Sequence, residues 1–185
     1  GTVDVVEGAI TPALAQNFEK TDGLQVFRNP KHGNLHIGLN STTVEAFKDL
    51  RVRQALNYAI NKEAIVKDLL SGEGTVSSGP LGPAYGAYYN KDAAPYPHDP
   101  AKAKELLAAA GYGSGLSVEL LVNSAGMGFG DPRPLVAVLQ SDLKNVGVEI
   151  KPQIVETGGF NPVFYGKKSQ AALFSWSFPI MDPHN

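Results

Sequence analysis

At 185 residues, with 43% hydrophobic and 18% charged side chains, the chain is long enough to bury its own core, and its composition excludes a disordered or fibrous protein. Its 16 Lys and Arg against 18 Asp and Glu leave a formal charge of -2 with no basic block, which removes nucleic acid as a partner. With no cysteine, thiolate metal sites, cysteine nucleophiles and disulfides are excluded, and no apolar run approaches the roughly 18 residues of a membrane span.

The chain opens on Gly1-Thr2-Val3-Asp4-Val5-Val6, directly in what reads as a strand over 3–6, and is expected to be a piece of a longer protein. A helix is predicted over 12–20, with Thr11 as N-cap and Pro12 at its first position. Alternation then predicts strands over 24–27 and 35–39, parted by the turn Asn29-Pro30-Lys31-His32-Gly33-Asn34. Asp49 caps a helix carrying Val52, Ala55, Leu56, Ala59 and Ile60, and Asn61 caps a second carrying Ile65, Val66, Leu69 and Leu70, with Gly72 as its stop. Residues 73–97 form a long loop rich in Gly and Pro that holds Tyr85, Tyr88, Tyr89 and Tyr96, a composition suited to binding.

Asp99-Pro100 starts a helix over 101–110 that ends at Gly111. A strand over 116–122, a Gly-rich loop over 124–130, a helix over 132–146 burying Leu135, Val136, Leu139 and Leu143, a strand over 148–155, a short helix over 160–168 and a strand over 171–175 complete the chain. This alternation predicts an α/β fold with a largely parallel sheet.

Few residues carry chemistry. His32 and His36 are four apart, but Gly33 and Asn34 break helix, and four extended residues part the rings by about 13 Å, too far for one metal ion. The loop Gly126-Met127-Gly128-Phe129-Gly130-Asp131 lies between strand and helix, where dinucleotide folds keep a phosphate, with Glu149 as the candidate ribose acid. Its spacing is G-x-G-x-G, however, and Asp131 would repel an anion at the helix start. No G-x-S-x-G elbow occurs, and Asp182 with His184 is the one acid/base couple that a hydrolase could use. Trp176 and Phe178 at a strand end, with Met127 and Phe129 on the neighbouring loop, would make an aromatic and thioether surface suited to binding.

The run Asp49-Leu50-Arg51-Val52-Arg53-Gln54-Ala55-Leu56-Asn57-Tyr58-Ala59-Ile60-Asn61-Lys62 resembles the pattern D-x-R-V-R-Q-A-L-x-x-A-I-[DN]-[KR] of the solute-binding proteins of ABC importers for peptides, nickel chelates and some oligosaccharides (bacterial solute-binding protein family 5). Leu39-Asn40 before it, Tyr96-Pro97-His98-Asp99-Pro100-Ala101-Lys102-Ala103-Lys104-Glu105-Leu106-Leu107 with Ala110-Gly111 after it, and Trp176 followed by Asp182-Pro183 extend the resemblance over most of the chain. It implies a periplasmic-binding-protein-like (type II) α/β lobe, a mixed sheet flanked by helices. Residues 1–36 would be the end of a first lobe and the hinge, and 37–185 a second ligand-binding lobe, incomplete at its C-terminus.

The implied function is capture of an oligopeptide or oligosaccharide in a cleft between lobes and delivery to the permease subunits, outside the cytoplasm, by a monomeric receptor without cofactor, metal or catalysis. The expected ligand-binding residues are Asn40, Tyr85, Tyr88, Met127, Gly128, Phe129, Trp176 and Phe178, with the 78–89 loop around the tyrosines. The hydrolase using Asp182 and His184 is the alternative. In dipeptide-binding members an arginine in the loop after the strand at 116–122 holds the peptide carboxylate, and an aspartate three residues after the Trp holds the amine. The matching positions here are Gly126 and Pro179, so the resemblance predicts a ligand without free charged ends. Arg51 and Arg53 fall in a first helical turn, where the dipole opposes cations, and a carboxylate or carbonyl within the lobe is expected to compensate them.

Overall fold

The computed structural model describes residues 4–5, 10–28, 33–126 and 130–177. Helix α1 (Pro12–Glu19) starts as expected: Thr11 is extended and its Oγ1 accepts from the Leu14 N–H, with Pro12 in the first turn. The expected strand at 24–27 does not form. Leu24 and Phe27 are exposed and no strand pairs with them among the described residues, and a period of two makes a strand only where one face can be buried. The expected strand at 3–6 falls largely outside the described residues.

Four strands make one sheet: β1 (Gly33–Leu39), β2 (Leu116–Asn123), β3 (Val148–Val155) and β4 (Ala171–Ser177), in the order β1-β4-β2-β3. β2 runs parallel to both β3 and β4, and β1 is antiparallel to β4 along its whole length. The sheet is therefore mixed, with its parallel strands in the middle and at one edge. Helices α2 (Leu50–Ala59), α4 (Pro100–Ala109) and α5 (Arg133–Lys144) cover one face. There Val118, Leu120 and Val122 of β2, Val148 of β3 and Leu173 of β4 pack with Val52, Leu107, Leu139 and Leu143. Helix α6 (Thr157–Tyr165) covers the other face, where Phe160 seals Leu121 and Ala172. Burial on both faces is why β2 reads as an unbroken apolar run at Leu120-Leu121-Val122, whereas Ser117 and Glu119 in its first half are exposed.

Two helices differ from expectation. The segment capped by Asn61 makes a single α-turn, α3 (Lys62–Ala64), and then widens to π-type hydrogen bonding over Ile65–Leu69, with the Leu70 N–H on the Ile65 carbonyl. Helix α6 begins three residues before 160, because Gly158 and Gly159 continue the turn that brings Phe160 onto the sheet, and it ends at Gly166 as Lys167 turns to a positive φ of 54°. Close approach also fixes one glycine: a Cβ at Gly38 of β1 would stand 2.7 Å from Cε1 of Phe174, so only a bare backbone fits under that ring. The same ring meets His36 edge-on at 4.1 Å.

The two cations at the start of α2 are compensated from within the lobe, as anticipated. The Asp49 carboxylate accepts from the Arg51 N–H at 2.8 Å and from its guanidinium, and Arg51 Nη1 also donates to the Ala109 carbonyl at 2.7 Å. Arg51 holds the Asp49 carboxyl below the ordinary carboxylate range. Arg53 Nη1 donates to the carbonyls of Phe47 at 2.7 Å and Lys48 at 2.9 Å, closing the turn that buries Phe47.

Arg53→Ala should lower stability by about 1–2 kcal/mol, because two carbonyls lose a charged donor. Urea unfolding measures this, and an unchanged midpoint would contradict the structural role of Arg53. His36 gives a second expectation. Burial holds its imidazole pKa below the ordinary 6.5, against an opposing hydrogen bond with the Asn34 carbonyl. The unfolded chain then binds the proton more readily, so this contribution is complete above the unfolded pKa and is lost as pH falls through the folded one. Denaturation followed from about pH 7 to pH 5 should show a downward slope that His36→Phe flattens.

Candidate functional site

The parallel strands β2, β3 and β4 end at Asn123, Val155 and Ser177, and the antiparallel β1 begins at that same end with Gly33. A cavity of about 470 Å3 opens there on the face that α2 and α5 cover. Its floor is Leu35, Val122, Asn123 and Leu173; one wall is the π-turn, through Ile65, Asp68 and Leu69; another is the start of α5, through Asp131, Pro132 and Leu135. Residues 10–13, the entry and first turn of α1, close the third side. Ligands of open α/β sheets collect at such carboxyl ends, where loops diverge and leave a crevice.

Most of the lining is apolar. The charged groups along it are the carboxylates Asp68, Glu73 and Asp131, and no Lys, Arg or His lines it among the described residues. Glu73 accepts from Nε of Arg28 at 2.6 Å while Nη1 of the same arginine pairs with Glu19, so Arg28 fastens α1 and the following segment to the end of the π-turn. That pairing holds the Glu19 carboxyl below its ordinary range. Asp131 accepts from the backbone N–H and the Nε of Arg133, both at 3.0 Å. This carboxylate occupies the amide at the start of α5 that a phosphate would need, and Glu149 lies at the other end of the sheet, on Ser117 and Lys151. Neither half of the dinucleotide reading comes together.

The structure brings some of the expected site residues to this end and not others. Trp176 belongs to β4 and is in register with Asn34, at the carboxyl end. Met127, Gly128, Phe129 and Phe178 lie outside the described residues, as do Pro179 and the hydrolase couple Asp182 and His184. The described neighbours of the 127–129 stretch, Gly126 and Gly130, both line the cavity. The 78–89 loop is tied to the same end of the sheet, because the Asn34 amide donates to the Gly79 carbonyl at 2.8 Å. Within that loop the turn Pro83–Tyr88 buries Tyr85, at 4% exposure, and leaves Tyr88 at 51%.

Asn40 is elsewhere. It follows β1 at the amino end of β4, about 20 Å from Ser177 along the strand. Its amide donates to the carbonyls of Lys167 and Ser169 and its Oδ1 accepts from the Thr42 N–H, so its polar atoms brace a turn. The sequence groups Asn40 with the cleft, but β1 runs antiparallel to β4 and so carries its own end away from the carboxyl ends of the parallel strands.

Asn123 was not singled out from the sequence, although a polar residue closing an apolar strand was a usable signal. Gly126 has a φ of +74°, a left-handed conformation that an arginine would adopt only under strain. The glycine where the resemblance expects an arginine is thus matched by the backbone it sits in.

If Arg28 fastens α1 over the cavity, Arg28→Ala should speed amide hydrogen exchange in residues 12–19 several-fold while leaving β2 protected. High salt acting on the unmutated chain should move exchange the same way, since these ion pairs are exposed and screened. Equal protection of 12–19 in both proteins would remove Arg28 from that role.

The chain matches the family of bacterial extracellular solute-binding proteins, family 5 Middle, over residues 1–185. Heme-binding protein A of Haemophilus influenzae is 31% identical to it over 186 residues, covering 100% of this chain and 34% of its own length. The dipeptide-binding protein of Escherichia coli is 32% identical over 177 residues, covering 94% of this chain and 32% of its own. Among solved structures, the ABC transporter-associated periplasmic binding protein DppA from Helicobacter pylori, in complex with the peptide STSA, superposes with a TM-score of 0.83 at 26% identity, covering 94% of this chain and 32% of that one. The chain spans about a third of the length of these relatives. With the family matched from end to end and the fold shared, the chain belongs to the family 5 bacterial extracellular solute-binding proteins.

Proposed function

We propose that this chain is part of the receptor of an ABC importer, which captures a peptide or a similarly sized solute outside the cytoplasm and hands it to the membrane permease without altering it. Residues 1–36 would be the end of the first lobe and the hinge, and 37–185 the second lobe. The observation that carries this reading is the cavity at the carboxyl ends of the parallel strands, closed on one side by residues 10–13. A clamp needs a ligand space between a lobe and a segment entering from the other lobe, and a cavity closed on one side by residues 10–13 supports that reading. The relatives' names support a carried solute, since they are binding proteins for heme, for dipeptides and for peptides.

The proposed contact surface is Tyr88, Met127, Gly128, Phe129, Trp176 and Phe178, reached through the loops at this end, with Tyr85 as a buried support; it leaves out Asn40, whose side chain is spent on its own turn. Peptide backbones suit such a surface, because aromatic faces and hydrogen-bonding groups hold them without a counter-charge. The lining, which carries carboxylates and no cation among the described residues, favours ligands without a free carboxylate, since burying one unpaired would cost several kcal/mol. The receptor is proposed to act as a monomer.

Calorimetry on the full-length receptor decides the matter with three probes: trialanine with free ends, trialanine blocked at both ends, and a neutral oligosaccharide. The blocked peptide is expected to bind at least as well as the free one, and tight binding confined to free peptides would refute the charge argument. Binding of the oligosaccharide in place of both peptides would change the ligand class and keep the receptor. The 185-residue chain alone should bind about tenfold more weakly or worse, for want of the second wall. Peptide turnover by the pure protein, lost on Asp182→Ala, would replace the receptor with the hydrolase.

A further inference from the structure

Asn123 is the one buried polar side chain among the described residues, with 5% of its surface exposed. It ends β2, lines the cavity, and stands where the chain must turn from the sheet toward α5. A buried amide persists only with its hydrogen bonds made, and here its partners lie in two places, the following turn and the start of α6. Its Oδ1 accepts from the Ala125 N–H at 2.9 Å, folding the turn back on the strand end. Its Nδ2 donates to Thr157 Oγ1 at 3.1 Å, and the same hydroxyl returns a bond to Oδ1 at 3.2 Å. Thr157 opens α6, the helix on the opposite face of the sheet.

We propose that Asn123 is a positioning residue for ligand capture: it locks the turn at 124–126 to the start of α6, and so fixes how the chain leaves β2 beside the proposed ligand space. The ligand part of this inference rests on the receptor reading above; the locking part does not.

The bond pattern supports it. Among the described residues the turn has two hydrogen-bond ties to the body of the lobe, the Ser124 N–H on the Val155 carbonyl at 2.8 Å and the Ala125 N–H on Asn123. Ser124 and Ala125 are exposed, so little packing holds them. Beyond them comes Gly126, buried and in the left-handed region. Losing the Asn123 acceptor removes one of these two ties, just before a residue with wide backbone freedom. Position errors of an ångström at a binding loop are felt in affinity even where the fold survives.

The chemistry of the two ends of the amide separates this role from a general contribution to stability. Only the acceptor reaches Ala125, so Asn123→Asp keeps the lock: the carboxylate retains both acceptor bonds, and its charge faces the N-terminal end of α6. Asn123→Leu removes both bonds at similar volume. Thr157→Val removes the tie to α6 and keeps the bond to Ala125. Amide hydrogen exchange on the 185-residue chain is the first measurement. The Ala125 amide is expected to exchange about tenfold faster in Asn123→Leu, a loss of about 1.4 kcal/mol of local protection, and at the original rate in Asn123→Asp, with Leu120 and Val122 protected throughout. Calorimetry of end-blocked trialanine on the full-length receptor is the second, with about tenfold weaker binding in Asn123→Leu. Thr157→Val should lie between.

Unchanged exchange at Ala125 in Asn123→Leu would overturn the proposal. So would a loss of protection across all of β2 in parallel with the loss of binding, which is the mark of a merely structural residue. Failure of the unmutated receptor to bind any of the probes would count against the receptor reading alone, while exchange at Ala125 would still decide whether Asn123 locks the turn.

Discussion

Burial of β2 on both faces is the constraint from which the rest of the lobe follows. Leu120 and Val122 face the layer of α2, α4 and α5, and Leu121 faces Phe160 of α6. Each such side chain contributes about 1.5–3 kcal/mol by leaving water, and a strand packed on both faces cannot slip by one without exchanging them. Register then places the ends of β3 and β4, and with them every loop at the carboxyl end. The Asn61 N–H donates to the Asp142 carboxylate of α5 at 2.9 Å, which secures the π-turn wall of the cavity to the same layer. The cavity is thus shaped by elements whose positions the core dictates.

The start of α2 shows the same economy at smaller scale. The Asp49-Leu50-Arg51-Val52-Arg53 run carries the family resemblance, and conspicuous arginines invite a functional reading. Their guanidinium groups instead satisfy the carboxylate of Asp49 and the carbonyls of Ala109, Phe47 and Lys48. Arg51 thereby ties the end of α4 to the start of α2, and Arg53 shapes the turn that inserts Phe47. A motif that identifies the family is, in this chain, a device for packing two helices on the sheet.

How far the sequence could be read follows from which interactions are local. The caps at Thr11, Asp49, Asn61 and Asp99 act within three residues of themselves, and each forms its bond as the residue types imply. The stop of α4 at Gly111 is local too, with the Tyr112 N–H on the Leu107 carbonyl. What failed needed distant partners. The alternation at 24–27 found no neighbouring strand, and Asn40 was assigned to the cleft without the antiparallel sense of β1. The cavity was invisible for the same reason, because its walls come from α1, the π-turn, β1, β2, β4 and α5, which no spacing in the chain connects. Asn123 lies between these cases: its place at the end of a strand is legible, but its partner Thr157 is 34 residues away.

Electrostatics of the cavity turns on how completely its donors are spent. The starts of α1 and α5 both reach it, and helix starts carry partial positive charge that would welcome an anion. At α1 the Leu14 N–H is taken by Thr11 Oγ1, and at α5 the Arg133 N–H is taken by Asp131. Arg28, the cation beside Glu73, divides its donors between Glu73 and Glu19. An entering carboxylate would meet these donors already paired, and would approach beside Asp68, Glu73 and Asp131. Uncharged groups meet no such competition, because the apolar floor of Leu35, Val122 and Leu173 asks only for shape. In the proposed receptor, discrimination at this end of the lobe would then come less from what it offers than from what it has already paired.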